Sequence, residues 1–138
     1  TALLIDESYN ANPASMRATL AQLGATPATR RIAVLGAMRE LGDFTPAFHT
    51  ALAEPLAAAG VQFALLVGPE MEDLARELGK GVDSTLGKPI GFAHCENTEE
   101  AIAVLSTFGL ADGDAVLVKG SNSVGLAKLV AHFSGKGG

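Results

Sequence analysis

Leu3-Leu4-Ile5-Asp6-Glu7-Ser8-Tyr9-Asn10-Ala11-Asn12-Pro13-Ala14-Ser15-Met16 is the stretch on which the reading of this chain turns. Leu3 to Ile5 makes a short apolar strand. Between Ile5 and Pro13 the only apolar side chain is the small Ala11, and two carboxylates, two carboxamides, a hydroxyl and a phenol crowd one turn. Asn12 is then a good N-cap and Pro13 suits the first helical position, where no backbone N–H is needed. Met16, Leu20 and Leu23 follow as one apolar stripe of a helix from about Asn12 to Leu23, which Gly24 is expected to end.

The same plan of strand, turn and helix recurs outward from this stretch. Arg30 and Arg31 lead into Ile32-Ala33-Val34-Leu35, an apolar run expected of a strand buried on both faces. Thr45 and Pro46 look like a cap and first-turn pair, and Phe48, Leu52, Leu56 and Ala59 share a face of a helix that Pro55 should bend or shorten. Phe63 to Val67 is a third strand, followed by Gly68-Pro69 and a helix through Met71, Leu74, Ala75 and Leu78. Gly79 to Pro89 reads as a mobile surface connection without a site of its own. Ile90 to Ala93 is a short fourth strand, and Asn97 with Glu100 has capping-box spacing ahead of a helix through Ile102 and Leu105. Ala115 to Val118 is a fifth strand, with a last helix through Leu126, Leu129, Val130 and Phe133. Strands alternating with helices predict a three-layer, Rossmann-like α/β fold: an open, mainly parallel sheet of about five or six strands flanked by helices.

The totals exclude several classes. With 138 residues the chain is the size of one domain, and its 10 basic against 15 acidic side chains give a net charge of −5 with no basic stripe for a nucleic acid. No apolar run approaches the roughly 20 residues a membrane span needs, so no membrane insertion is expected. The single cysteine, Cys95, forms no internal disulfide, and no signal-peptide pattern is present, so a cytoplasmic location is expected. Residue 1 enters a strand almost at once, which is expected of a domain cut from a longer protein.

In open parallel sheets, ligands lie beyond the carboxyl ends of the strands. That rule selects Asp6 to Asn12, Gly36 to Asp43, Gly68 to Glu70, Cys95 to Asn97 and Lys119 to Ser123. Lys119-Gly120-Ser121-Asn122-Ser123 combines a cation, a glycine that admits a ligand to the backbone, hydroxyl donors and a helix start, a plausible oxyanion site. A capped helix beside a solvated lysine explains the same residues equally well. The first turn is different: Asp6 and Glu7 repel phosphate and Pro13 lacks an N–H, whereas carboxylates and carboxamides match sugar hydroxyls and a nucleobase edge, with Tyr9 able to stack. An asparagine-rich turn with Asn12 merely capping is the plainer alternative. His49 lies just off the buried stripe of its helix and reads as a boundary residue. His94 and Cys95 lack the further spaced ligands of a zinc site; His132 reads as surface and Met71 as core. Neither G-x-x-x-x-G-K-S/T nor G-x-G-x-x-G occurs, so the phosphates of any ATP would be held chiefly outside these residues.

Three motifs, in order, carry a family resemblance over essentially the whole chain. They are Asp6 to Met16 with its Y-N-A-N-P turn, Leu35-Gly36-Ala37-Met38-Arg39-Glu40-Leu41-Gly42 with His49 beyond it, and Val118-Lys119-Gly120-Ser121-Asn122-Ser123. Together they resemble the C-terminal domain of the Mur ligases, whose second and third motifs run L-G-D-M-x-E-L-G and V-K-G-S-x-S. Within the family, the first motif is similar to that of the member joining D-alanyl-D-alanine to UDP-N-acetylmuramoyl-tripeptide. The resemblance implies a three-domain cytoplasmic enzyme of peptidoglycan biosynthesis, with ATP and Mg2+ held mostly by a central P-loop domain and the muramyl tripeptide by an N-terminal domain. ATP phosphorylates the tripeptide carboxylate, and the dipeptide amine attacks the resulting acyl phosphate. It also implies that Glu7, Tyr9, Asn10 and Asn12, with Asp6 beside them, contact the adenosine of ATP. Lys119 and Ser121 then face the reacting carboxyl or the dipeptide, and His49 becomes a cleft residue. No metal ligand is implied in this domain, and alone it is expected to be inactive. The chain departs from the pattern at Ala37, where the family usually has aspartate, at Glu7, an often-aspartate position, and at Leu126, a frequent methionine. Two alternatives stand beside this reading: a non-catalytic nucleotide- or anion-binding module that kept the fold, and a sister ligase such as folylpolyglutamate synthase, whose turn is G-A-H-N-P-like instead.

Overall fold

Five strands and six α-helices alternate along the chain in a computed structural model that describes residues 2–8, 12–38, 45–80, 90–120 and 125–134. The strands are β1 (Leu3–Glu7), β2 (Arg30–Gly36), β3 (Phe63–Val67), β4 (Gly91–Cys95) and β5 (Asp114–Lys119). The helices are α1 (Pro13–Ala25), α2 (Thr45–Thr50), α3 (Ala53–Ala58), α4 (Glu72–Gly79), α5 (Thr98–Phe108) and α6 (Ala127–Ser134). The expected turn Gly36 to Asp43, the connection Gly79 to Pro89 and the segment Lys119 to Ser123 lie partly outside the described residues.

All described strand pairs are parallel, in the order β1-β5-β2-β3-β4. Moving from β1 through β2 and β3 to β4, the chain always travels the same way across the sheet, and right-handed crossovers therefore put the intervening helices on one face. Met16, Leu20 and Leu23 of α1, Leu56 of α3 and Leu74 and Leu78 of α4 pack there on Ala33, Leu35, Ala64, Leu66, Ala115 and Leu117. The step from β4 back to β5 reverses direction, so α5 crosses the opposite face, where α6 joins it. Ala101, Leu105 and Leu129 meet Ile32, Val34, Leu65, Val67, Val116 and Val118 on that side. Helices cover the sheet on both faces, as the alternating pattern predicted.

Several local expectations need correction. The helix read across Thr45 to Ala59 is two helices, α2 and α3, with the break at Ala51 and Leu52. Pro55 cannot donate to the carbonyl of Ala51, so the ladder cannot continue there, and the proline sits instead in the first turn of α3. Gly24 does not end α1, which runs to Ala25 with Thr26 as C-cap. It is a contact residue: a Cβ at Gly24 would lie 2.9 Å from Ala59 Cα, so the backbones of α1 and the end of α3 touch. The fourth strand starts one residue later than expected and includes Cys95, because pairing with β3 carries it to Val67↔Cys95. Before α4 the chain makes a 3-10 turn, Pro69–Met71. The cap of α5 is half of the expected box. Asn97 Oδ1 accepts from Glu100 N at 2.8 Å, but the Glu100 carboxylate accepts from Glu96 N at 2.9 Å instead of returning to Asn97 N.

Candidate functional site

Because α1 leaves β1 toward one face and α6 leaves β5 toward the other, the chain diverges at the carboxyl ends of these neighbours. A crevice opens at such a switch point. β5 also borders β2, whose own continuation returns to the face of α1, so the end of β5 lies between two diverging connections. Gly120 shows how closely they approach. A Cβ there would lie 2.9 Å from Gly36 Cα and 2.9 Å from Leu126 Cδ1, so only glycine lets the turns after β5 and β2 touch.

Lys119 is the last residue of β5, in register with Glu7 on β1 and Leu35 on β2. Residues two apart share a face, so Lys119 follows Ala115 and Leu117 to the α1 side, and Glu7 follows Ile5 to the same side. The lysine is only 1% exposed, and its Nζ lies 3.7 Å from Glu7 Oε1, a side chain 34% exposed. The alternative of a solvated lysine therefore does not hold. Removing an ammonium from water costs several kcal/mol, and a carboxylate on the adjoining strand offsets part of that. The strands thus hold a dehydrated cation at the crevice with a counter-charge that solvent still reaches.

Asp6, one residue earlier, falls on the opposite side of β1 by the same alternation. Its Oδ1 accepts from Ser8 N at 3.0 Å and Ser8 Oγ at 2.6 Å, an Asx turn that bends the chain out of the strand. Asn12 is the N-cap as expected: its Oδ1 accepts from Ser15 N at 2.9 Å, and Ser15 Oγ accepts from Asn12 N at 3.1 Å. Asn12 itself is exposed. Tyr9, Asn10 and Ser121 lie outside the described residues.

His49 is not at a boundary but fully buried, and its Nε2 accepts from Met38 N at 2.9 Å. A ring nitrogen that accepts carries no proton, so the neutral ring has its hydrogen on Nδ1. Ala37, beside Met38, is also fully buried. On the far side of the crevice His94 Nε2 donates to Gly68 O at 2.8 Å, and Gly68 N donates to Cys95 O at 2.8 Å, which pins the turn after β3 to β4. Among the described residues no group of three His, Cys, Asp or Glu side chains could hold a metal ion. Met71 is core and His132 exposed, as expected.

The structure thus joins Glu7 to Lys119, two residues read separately from the sequence, and keeps Asp6, Asn12 and His49 in distinct local roles. The Glu7–Lys119 pair could not be read from the chain, since 112 positions separate the two and only the placement of β5 beside β1 unites them. The contact of Gly36 with Gly120 left a faint signal, a glycine directly after each of two apolar strands.

An open, parallel α/β sheet with the buried Lys119 paired to Glu7 at its switch point defines a Rossmann-like α/β domain. Residues 2–122 match the family described as "Mur ligase, glutamate ligase domain", and the chain belongs to that family. It is 38% identical over 133 residues to the UDP-N-acetylmuramoyl-tripeptide–D-alanyl-D-alanine ligase of Synechocystis sp., covering 95% of this chain and 27% of that protein. To the ligase of the same name from Escherichia coli it is 30% identical over 139 residues, covering 98% of this chain and 27% of the relative. Among solved structures it resembles MurF ligase from Thermotoga maritima in complex with ADP, with a TM-score of 0.74 at 27% identity, covering 96% of this chain and 28% of that one. MurF from Acinetobacter baumannii gives a TM-score of 0.76 at 28% identity, covering 95% of this chain and 28% of that one. The chain therefore spans little more than a quarter of these relatives.

Proposed function

We propose that this chain is the C-terminal, closing domain of an ATP-dependent ligase that joins D-alanyl-D-alanine to UDP-N-acetylmuramoyl-tripeptide in peptidoglycan biosynthesis, in the cytoplasm. The relatives' names and the agreement of the three motifs support the reaction. The observation within the fold that carries it is Lys119, held 1% exposed at the end of β5, between β1 and β2. A fixed cation in a site of low dielectric attracts a carboxylate or acyl phosphate far more strongly than a hydrated one, and needs no reorganisation to do so. Among the described residues no helix is long and apolar enough to cross a membrane.

In this reading ATP, when bound, supplies the phosphoryl group that activates the tripeptide carboxylate. The residues here fit its adenosine end better than its phosphates: Glu7 is partly exposed and can accept from sugar hydroxyls, and the cap engages the oxygen of Asn12 and leaves its NH2 for a base edge. Mg2+ and the phosphates then fall to the central P-loop domain of the intact enzyme, and the tripeptide to its N-terminal domain. Lys119 orients the reacting carboxyl group or the dipeptide carboxylate and stabilises charge that develops there. Glu7, 3.7 Å away, pairs with that cation and keeps it aimed until an anionic ligand arrives. Tyr9, Asn10 and Ser121 keep the roles that the motifs assign them.

The test uses the full-length protein. Asn12→Ala is expected to raise the apparent KM for ATP, after correction for about 1 kcal/mol of lost helix capping. Lys119→Ala is expected to lower kcat on the acyl or amine side by about 10²-fold, the usual scale for one electrostatic contact in a reacting site. The reverse pattern would refute the division of roles. ADP release by the isolated domain, with all substrates, at the rate of an ordinary enzyme would refute its place as one part of a larger site.

A further inference from the structure

We propose that His49 is a positioning residue for this reaction: as a neutral imidazole it holds the backbone of the Gly36–Met38 segment in place and touches no ligand itself. The proposal rests on the reading of the crevice as a ligase site, and it concerns the floor of that crevice.

Met38 lies beyond the sheet. The last pairs of β2 are Leu35↔Lys119 on one side and Gly36↔Val67 on the other, so the N–H of Met38 has no partner strand to receive it. Met38 is nonetheless 1% exposed, and a dry backbone N–H without an acceptor is strongly unfavourable. His49 Nε2 supplies that acceptor at 2.9 Å. The histidine is delivered by α2, a helix of only six residues that cannot hold itself together in water and depends on its packing. Half-buried Phe48 packs against the core on the α1 side, and the bond from Leu52 N to His49 O, 3.1 Å, marks the turn where α2 gives way to α3.

What His49 holds borders the reactive cation. Gly36 is in backbone contact with Gly120, the residue after Lys119, and a Cβ on Gly68 would lie 3.8 Å from Ala37 Cβ. The three residues 36–38 are therefore wedged between the turns that follow β5 and β3. If Met38 drifts, the support behind Gly120 drifts with it, and a displacement of about 1 Å in a reacting site costs up to about 10²-fold in rate. A hydrophobic residue at 49 would fill the space without offering a lone pair. Glutamine reaches as far as Nε2 and offers an oxygen.

The experiment compares His49→Leu with His49→Gln. In nitrogen-detected NMR of this chain, His49 is expected to show an unprotonated Nε2 and a protonated Nδ1 at neutral pH, with the Met38 amide protected from exchange. In the full-length protein, His49→Leu is expected to lower kcat by about tenfold to a hundredfold while the KM for ATP moves by less than about threefold, and His49→Gln to recover kcat to within about threefold of the parent. A protonated Nε2 overturns the proposal. So does a folded His49→Gln as impaired as His49→Leu, or a folded His49→Leu as active as the parent. Should His49→Leu fail to fold, the parent spectrum and the kinetics of His49→Gln decide. If the intact protein has no ligase activity, the proposed function fails, whereas the ring nitrogens and the Met38 amide in the parent and His49→Gln still decide whether His49 holds this segment.

Discussion

Asp114→Asn should destabilise the domain by about 2–3 kcal/mol near pH 7, with a loss that shrinks in acid. Asp114, at the start of β5, is 2% exposed. Its Oδ1 accepts from Arg30 Nε at 2.7 Å, and its Oδ2 accepts from Arg30 Nη2 at 2.6 Å and from Ala111 N at 2.8 Å. Arg30 is fastened as well, donating to Gly109 O at 2.9 Å with its guanidinium 4.7 Å from the Phe108 ring centre. A carboxamide cannot replace this set, because its NH2 would face a guanidinium N–H at either oxygen position, and the Ala111 N–H as well at that of Oδ2. Charge-assisted bonds contribute roughly 1.5–3 kcal/mol each, but the arginine side chain is 33% exposed and solvent compensates part of the loss, which gives the figure above. The hydrogen bonds from Arg30 hold the Asp114 carboxyl below its ordinary value, against the opposing effect of burial. A carboxyl whose folded value lies below its unfolded value of about 3.9 stabilises the fold fully above that pH, and its contribution disappears as pH falls through the folded value. Urea unfolding of parent and variant at pH 7 should differ in midpoint by about 1–2 M at equal slope, and the gap should narrow once pH drops below about 4. A midpoint shift under about 0.3 M at pH 7, or a gap unchanged down to pH 2, would refute the reasoning.

Two further outcomes follow from the geometry. Gly120→Ala forces a methyl group to 2.9 Å from Gly36 Cα, so thermal unfolding should show a loss of about 1–3 kcal/mol and ligase kinetics of the full-length protein a fall in kcat; unchanged values for both would mean that the two turns do not touch. Burial, reinforced by Glu100, pushes the Cys95 thiol up to about 11, so only about a thousandth is thiolate at pH 8. A thiol reagent should label Cys95 readily in urea but very slowly in the native protein at that pH, and rapid native labelling would contradict its placement.

Much of the fold was legible because its signals are local. Ile32 to Leu35 and Ala115 to Val118 are apolar without interruption since both faces of their strands are covered, and Asn12-Pro13 marks a helix start by backbone chemistry alone. The errors came where a neighbour overrode a local rule. Gly24 looked like a helix stop, but its role is contact with Ala59. His49 looked like a boundary residue because its stripe was drawn on one continuous helix; the break at Ala51 and Leu52 and the needs of Met38 N are invisible to periodicity.

The sequence by itself determined the alternation of strands and helices, the caps at Asn12 and Asn97, the polar turn after β1 and the three motifs, because each is written within a few consecutive residues. The tertiary structure alone decided that the last strand slides in between the first and the second, which sets Lys119 against Glu7 on one side and Gly120 against Gly36 on the other. Strand order depends on which pairings bury the most surface with right-handed crossovers, a property of the whole chain. Lys119, for which the sequence left an anion site and a solvated lysine equally open, is dry for that reason: it stands at the end of a strand with a neighbour on either side.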